Sequence, residues 1–226
     1  MHRVTIIIPV LNEAGSIQNT LLPLQSYRQQ GHEVIVVDGG SEDSTVSIAE
    51  HLCDKLVHGP IGRARQMNAG AEQAKGDILL FLHADTILPE NAVQIVNTKL
   101  QSTSSVWGRF DVSLSGNHPV LRIVAFFMNL RSRFTGIATG DQAIFVRSKE
   151  FNQLRGFPDV ALMEDIRFSK SLLTISHPIC LRHKVTTSSR RWEQKGILRT
   201  IILMWYLRLA HFFGKSPKEL ARIYSR

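Results

Sequence analysis

Three apolar runs, each ending on polar residues, constrain the fold more than any other feature of the chain. Val4 to Val10, Glu33 to Asp38 and Asp77 to Leu82 are continuously aliphatic or β-branched inside and do not alternate with polar positions. Strands of this kind belong in a sheet covered on both faces. Helical patterns separate them: Ser16 to about Gln30, opened by a serine at the N-cap position, Ser44 to about Leu52, and Gly62 to Ala74. Strand and helix in alternation predict right-handed βαβ crossovers and an α/β fold with a mostly parallel central sheet flanked by helices. In such sheets ligands bind beyond the carboxyl ends of the strands. The polar residues fall there: Asn12 and Glu13 after the first run, Asp38 at the end of the second, His83 and Asp85 after the third. Any one of them reads as an ordinary loop residue, but three equivalent positions point to one site.

Other nucleotide folds share this architecture and are excluded by their missing loops. The first strand is followed by PVLNEAGS, and neither DGGSEDS nor GPIGRARQMNAG supplies the GxGxxG spacing of a dinucleotide fold. No GxxxxGK[ST] phosphate loop occurs. At 226 residues the chain has the length of one α/β domain. Its net charge of +8 suits phosphate-bearing ligands, nucleic acid or an anionic membrane. The basic residues are dispersed and no recognition motif appears, so nucleic acid is not expected as a partner. Cys53 and Cys180 have no metal-binding spacing and read as reduced thiols. VTIIIPVL runs into Asn12 and Glu13 without a small-residue cleavage site, so it reads as a strand in a cytoplasmic protein.

Taken in order, PVLNE, VIVVDGGSEDST, GRARQMNAGAEQAKGD and FLHADT resemble the nucleotide-sugar half of glycosyltransferase family 2. GDQAIFVR, ALMEDIRFS and SSRRW resemble its acceptor-side segments, so the likeness runs through most of residues 3 to 196. The resemblance implies a single GT-A-like domain of Rossmann type over 1–226. Its donor part would be 1–105, its acceptor part 106–196, and 197–226 a helical C-terminal segment close to the membrane. It also implies an enzyme that moves a sugar from a nucleotide donor, with UDP expected, to a hydroxyl- or carboxyl-bearing acceptor by inversion.

A nucleoside diphosphate carries clustered negative charge, and its departure is assisted by Mn²⁺ or Mg²⁺ held by oxygen ligands. The family's motif here is commonly Asp-x-Asp, and HAD departs from it at the first position. Asp85 keeps the carboxylate. His83 is open to three roles: a metal ligand, a neutral imidazole bonded to the ribose, or packing. By the resemblance Pro9, Asn12, Glu13 and Asp38 form the nucleoside site, with a turn-forming aspartate before Gly39 and Gly40 as the lesser reading of Asp38. Arg63, Gln66 and Asn68 open a helix after Gly62, where amides and a guanidinium would face phosphate or sugar hydroxyls. In the family the aspartate of the ED pair is the catalytic base, which here is Asp165, with Glu164 orienting the site. An acidic helix start stabilised by the macrodipole is the plain alternative for this pair. Asp141 is a candidate for acceptor binding. Arg191 with Arg190 resembles the arginine that pairs with diphosphate, and Trp192 the tryptophan beside the acceptor sugar. Ser188 stands where processive members have glutamine, which argues against processive synthesis.

Two apolar stretches bear on the acceptor. From Pro119 to Arg133 the polar residues His118, Arg122, Asn129 and Arg133 form a narrow helical stripe, so the helix packs into the core or lies on a membrane. ILRTIILMWYLRLAHFF, Ile197 to Phe213, is too short and too interrupted by Arg199 and Arg208 for a membrane span. Together with Lys195, Lys215 and Lys218 it is expected to attach peripherally to the cytoplasmic face of the plasma membrane, with a lipid-linked acceptor, and ordinary core burial is the competing reading. A sugar-phosphate nucleotidyltransferase would need a glycine-rich, arginine-bearing loop after the first strand, which PVLNEAGS is not. An inactive nucleotide-sugar-binding scaffold is the remaining alternative, raised by HAD and opposed by Asp85, Glu164 and Asp165.

Overall fold

The computed structural model describes residues 2–225; the side chains of Arg191, His211, Phe212 and Ser225 lie outside the described residues. The first expected strands form where the apolar runs are. β1 (Val4–Val10) pairs in parallel with β2 (Glu33–Asp38), and β2 with β3 (Lys55–His58). β4 (Ile78–Phe81) lies parallel to the other edge of β1. Covered on both faces, β2 and β4 are buried at every residue, as their unbroken apolar pattern requires. The connecting helices are α3 (Thr45–Glu50) and α4 (Arg63–Glu72). Between β1 and β2 the expected single helix is instead α1 (Ile17–Leu21), a 3₁₀ turn (Leu22–Leu24) and α2 (Gln25–Gln29). Pro23 lies in the 3₁₀ turn and has no N–H to continue an α-helical ladder. Ser16 stands before α1, but its hydroxyl donates to Glu13 Oε2 at 2.7 Å and does not cap the helix.

The same sheet continues through the second half of the chain. Its order is β3-β2-β1-β4-β7-β6-β8-β5, with β5 (Thr86–Ile87), β6 (Trp107–Leu114), β7 (Phe145–Arg147) and β8 (Ile179–Thr187). β7 runs antiparallel to both β4 and β6, β6 and β8 are parallel, and β5 is antiparallel to β8. This places the turn after β4 next to the end of β8, and the amide of Ser188 donates to the Asp85 carbonyl at 3.1 Å. α5 (Ala92–Gln101), α6 (Pro119–Thr135), α7 (Ser148–Gln153) and α8 (Glu164–Leu173) cover the sheet. Phe81, Phe151, Phe157 and Phe168 pack ring on ring beneath the carboxyl end of β4, with centroids 4.3–5.4 Å apart in the closest pairs.

α6 turns its stripe the other way from a simple amphipathic reading. Asn129 is buried and hydrogen-bonds both the N–H and the carbonyl of Val112 in β6. Ile123, Phe126, Phe127 and Phe134 face outward, Phe134 at 83% exposure. The C-terminal α9 (Arg190–Lys195), α10 (Ile197–Phe212) and α11 (Pro217–Ser225) follow β8. Leu207, Ala210 and Leu220 form a small core of their own against Leu162 and Met163. The opposite side of α10 exposes Leu198, Ile202, Trp205 and Leu209, an i, i+4, i+7, i+11 row. Among the described residues no helix is long and apolar enough to cross a membrane.

Candidate active site

The register of the parallel strands brings their carboxyl ends level: Val10 pairs with Asp38, and Asp38 with His58. The loops beyond them are tied to each other. Asn12, left-handed at φ 54°, receives the Glu42 N–H on its side-chain oxygen and donates its own N–H to Ser41 Oγ. The Glu13 N–H donates to Thr45 Oγ1 at 2.7 Å. Asp38 is buried and accepts from the amides of Gly40 and Ser41 at 3.0 and 3.1 Å. The turn role of Asp38 is therefore realised, and only its remaining lone pairs are open to a ligand. Pro9 is half-buried within β1, opposite Val37.

Two expected donor residues are corrected by their partners. Gln66 is buried, and its amide nitrogen donates to the carbonyls of Val10 and Val37 at 2.7 and 2.9 Å. It joins β1 to β2 from below, because α4 is packed against those strands. Asn68 uses both ends of its amide on the backbone of Phe157, at 2.8 and 2.9 Å, and so anchors the segment leading toward α8. Asn68 thus has neither end free for a sugar or a phosphate, and Gln66 has no amide N–H free.

The charged residues of the strand ends do converge. Asp85 is half-buried, and burial followed by the neighbouring Glu13 carboxylate pushes its pKa up, opposed by Arg190 and Arg63. Arg190, at the first turn of α9, reaches Glu13 Oε2 at 3.4 Å. Of the paired arginines it is thus Arg190 whose side chain is seen at the site; the Arg191 side chain lies outside the described residues. Trp192 is half-buried in α9. Arg63, at the start of α4, pairs with Glu164 of α8 at 3.7 Å.

The acceptor-side residues form a second group. Met163 takes a left-handed φ of 67° and starts α8 with Glu164 and Asp165. Asp165 accepts from the amides of Ile166 at 2.7 Å and Gly140 at 2.8 Å, which fixes both carboxylate oxygens. Glu164 is buried, and burial with the Asp165 charge raises its pKa against the pull of Arg63. Asp141 receives the Thr139 hydroxyl at 2.5 Å, and its pKa is raised by burial. A Cβ on Gly140 would collide with the His83 imidazole, so only glycine lets the two loops close. His83 Nε2 is buried and has no hydrogen-bond partner among the described residues. Burial, and then Arg63, lowers its pKa to about 3, so the ring is neutral. It borders a cavity of about 10 Å³, room for roughly one water, with Arg63, Gly140, Glu164 and Asp165.

Of the three roles read for His83, the geometry displays packing: the neutral ring lies with its Nε2 against Gly140. The charged groups acting on Asp85 are Glu13, Arg190 and Arg63. No group of three or more His, Cys, Asp or Glu able to hold an ion exists among the described residues. A complete protein cage is therefore absent there. Mg²⁺ and Mn²⁺ at phosphate-transfer sites need only one or two carboxylates with phosphate oxygens, and Asp85 beside Glu13 fits that requirement.

A curled mixed sheet with acidic strand ends facing an acidic helix start defines a nucleotide-sugar-binding fold of the GT-A type. The model of glycosyl transferase family 2 matches residues 5–155, and the chain belongs to that family. An undecaprenyl-phosphate 4-deoxy-4-formamido-L-arabinose transferase of Pseudomonas fluorescens is 27% identical over 164 residues, covering 66% of this chain and 47% of the relative. The chain thus spans about half the length of that relative. Among solved structures, the mannosyltransferase PcManGT of Pyrobaculum calidifontis, in complex with GDP-Man and Mn²⁺, aligns with TM-score 0.66 and 24% identity over 99% of this chain and 69% of its own. S. aureus TarS in complex with UDP-GlcNAc aligns with TM-score 0.66 and 18% identity over 82% of this chain and 58% of its own. Both show the likeness of fold.

Proposed function

We propose that the chain is a metal-dependent, inverting glycosyltransferase that moves a sugar from a UDP donor to a hydroxyl or carboxyl of a lipid-linked acceptor. The observation that carries the reading is the meeting of two groups at Arg63: Asp85 and Glu13 beyond the strand ends, with Arg190 of α9 beside them, and Glu164 and Asp165 at the start of α8. Mg²⁺ or Mn²⁺ bound by Asp85 and the donor diphosphate would supply Lewis-acid stabilisation of the leaving group. Arg190 and Arg63 add positive charge on the same side. Asp165 takes the proton of the acceptor hydroxyl as its oxygen bonds to the anomeric carbon, and the bond from that carbon to the diphosphate breaks with its electron pair leaving on UDP. The two backbone amides on Asp165 hold its carboxylate in place for this role.

The lipid assignment rests on α10 and α6. The outward row Leu198, Ile202, Trp205 and Leu209 and the outward Phe126, Phe127 and Phe134 present aromatic and aliphatic groups to solvent. Arg199 and Lys218 add the charge that anionic lipid headgroups attract. The inner face of α10 packs with Leu162 and Met163, directly before Glu164, so a membrane-bound helix would sit next to the acceptor side. The P. fluorescens relative is named for an undecaprenyl-phosphate substrate, which agrees with this placement. The test is release of UDP from a panel of UDP-sugars with Mn²⁺, with and without polyprenol acceptors in anionic vesicles. Sugar-specific release that Asp165→Asn removes supports the reading; no release from any donor counts against it.

A further inference from the structure

Arg131, in the last turns of α6, stands apart from the other arginines of its neighbourhood. Arg109 and Arg133 both bond the Asp111 carboxylate, Arg133 at 2.6 Å. Arg131 has no such share: its Nε and Nη2 are buried and have no hydrogen-bond partner among the described residues. Burial presses its pKa down, Asp141 and Asp165 attract it, and Arg109 repels it. A guanidinium left this way is costly, because desolvation is not offset by bonds to its N–H groups. Native chains keep such a group mainly where something else completes it.

The two unpartnered nitrogens are adjacent on one edge of the guanidinium. That edge presents two parallel N–H bonds, the donor pair that carboxylates and phosphates accept in bidentate fashion. Of the charged groups that act on Arg131, Arg109 adds positive charge and Asp141 is held toward its neutral form by burial, which leaves Asp165 as its main counter-charge. The place is also the acceptor side, since the carboxylates that act on Arg131 are Asp141 and the proposed base Asp165.

We propose that the Nε and Nη2 edge of Arg131 is an oxyanion site that seats a carboxylate or phosphate monoester of the acceptor beside Asp165. Its location on the acceptor side rests on the glycosyltransferase reading above. The site gives the enzyme a reason to prefer acidic acceptors. It lies apart from the diphosphate, whose charge meets Arg190 and Arg63.

The experiment fills the donor site first. The full chain is saturated with UDP and Mn²⁺, then titrated calorimetrically with phenyl phosphate and, separately, with benzoate. The expected result is binding of at least one of them, weakened at least about tenfold in Arg131→Gln, with UDP affinity unchanged. Preference for phenyl phosphate marks a phosphate acceptor, and preference for benzoate a carboxylate acceptor; each supports the site. If Arg131→Gln does not fold by circular dichroism, Arg131→Lys, which keeps the charge and loses the fork, should still bind several-fold more weakly. Absence of binding of both anions to the wild-type chain, or equal binding by the folded variant, overturns the proposal. Should UDP itself fail to bind, the donor reading falls while the anion titration of the free chain still judges Arg131.

Discussion

At the scale of single residues, the site separates side chains that hold the loops from those left for chemistry. Asn68 belongs to the first kind. Asn68→Ala leaves a donor and an acceptor of Phe157 unpaired and should cost about 1–3 kcal/mol of stability in urea melts while UDP affinity stays within twofold. A large loss of UDP affinity in a fully folded variant would return Asn68 to the donor site. Asp165 belongs to the second kind: Asp165→Asn should lower transfer by roughly 10²–10⁴-fold and leave UDP binding intact. Glu164 carries a pH signature. Its folded pKa lies above the unfolded value, so its contribution is most favourable below about pH 4.5 and is lost as pH rises through the folded pKa. Glu164→Gln should therefore be more stable than wild type at pH 7–8, with the difference shrinking on acidification. Denaturant midpoints at pH 4 and pH 8 decide it. Asp38, Glu13 and Asp85 could be placed from the sequence because residues at the carboxyl ends of parallel strands have little freedom of position. Gln66 and Asn68 could not, since a helix start near a loop exposes one face to ligand and another to the sheet, and only packing decides which residue lies on which. Arg131 gave no signal at all: its lack of a partner is a property of the fold.

At the scale of elements, the three unbroken apolar runs located β1, β2 and β4 because a doubly covered strand can be little else. β3 escaped notice: KLVH is four residues long, and both its end residues are exposed. α6 was legible as a helix but not in its orientation, because Asn129 finds two backbone partners in β6 and so enters the core in place of a phenylalanine. Gly140 marks where two elements meet. Gly140→Ala should press on His83 and cost about 1–3 kcal/mol or displace the Asp165 amide contact. Thermal melts with UDP-release rates check it, and an unchanged melting point and rate would show that the loops are looser than described.

At the scale of the whole molecule, the proposed donor site lies at the carboxyl end of the sheet and the exposed apolar row lies on α10, whose other side packs with Leu162 and Met163. Ile202→Ser with Trp205→Ser removes two exposed apolar groups, at 70% and 74% exposure. The pair should weaken sedimentation with phosphatidylglycerol vesicles by roughly tenfold or more and leave the fold intact. Binding unaffected by the substitutions would assign the row to a protein contact. Calorimetric titration of UDP with and without Mn²⁺, on wild type and Asp85→Ala, decides the donor site. Mn²⁺ should tighten UDP binding in the wild type, and the enhancement should vanish in the variant. Binding of UDP that is indifferent to Mn²⁺, or equally enhanced in Asp85→Ala, would contradict it.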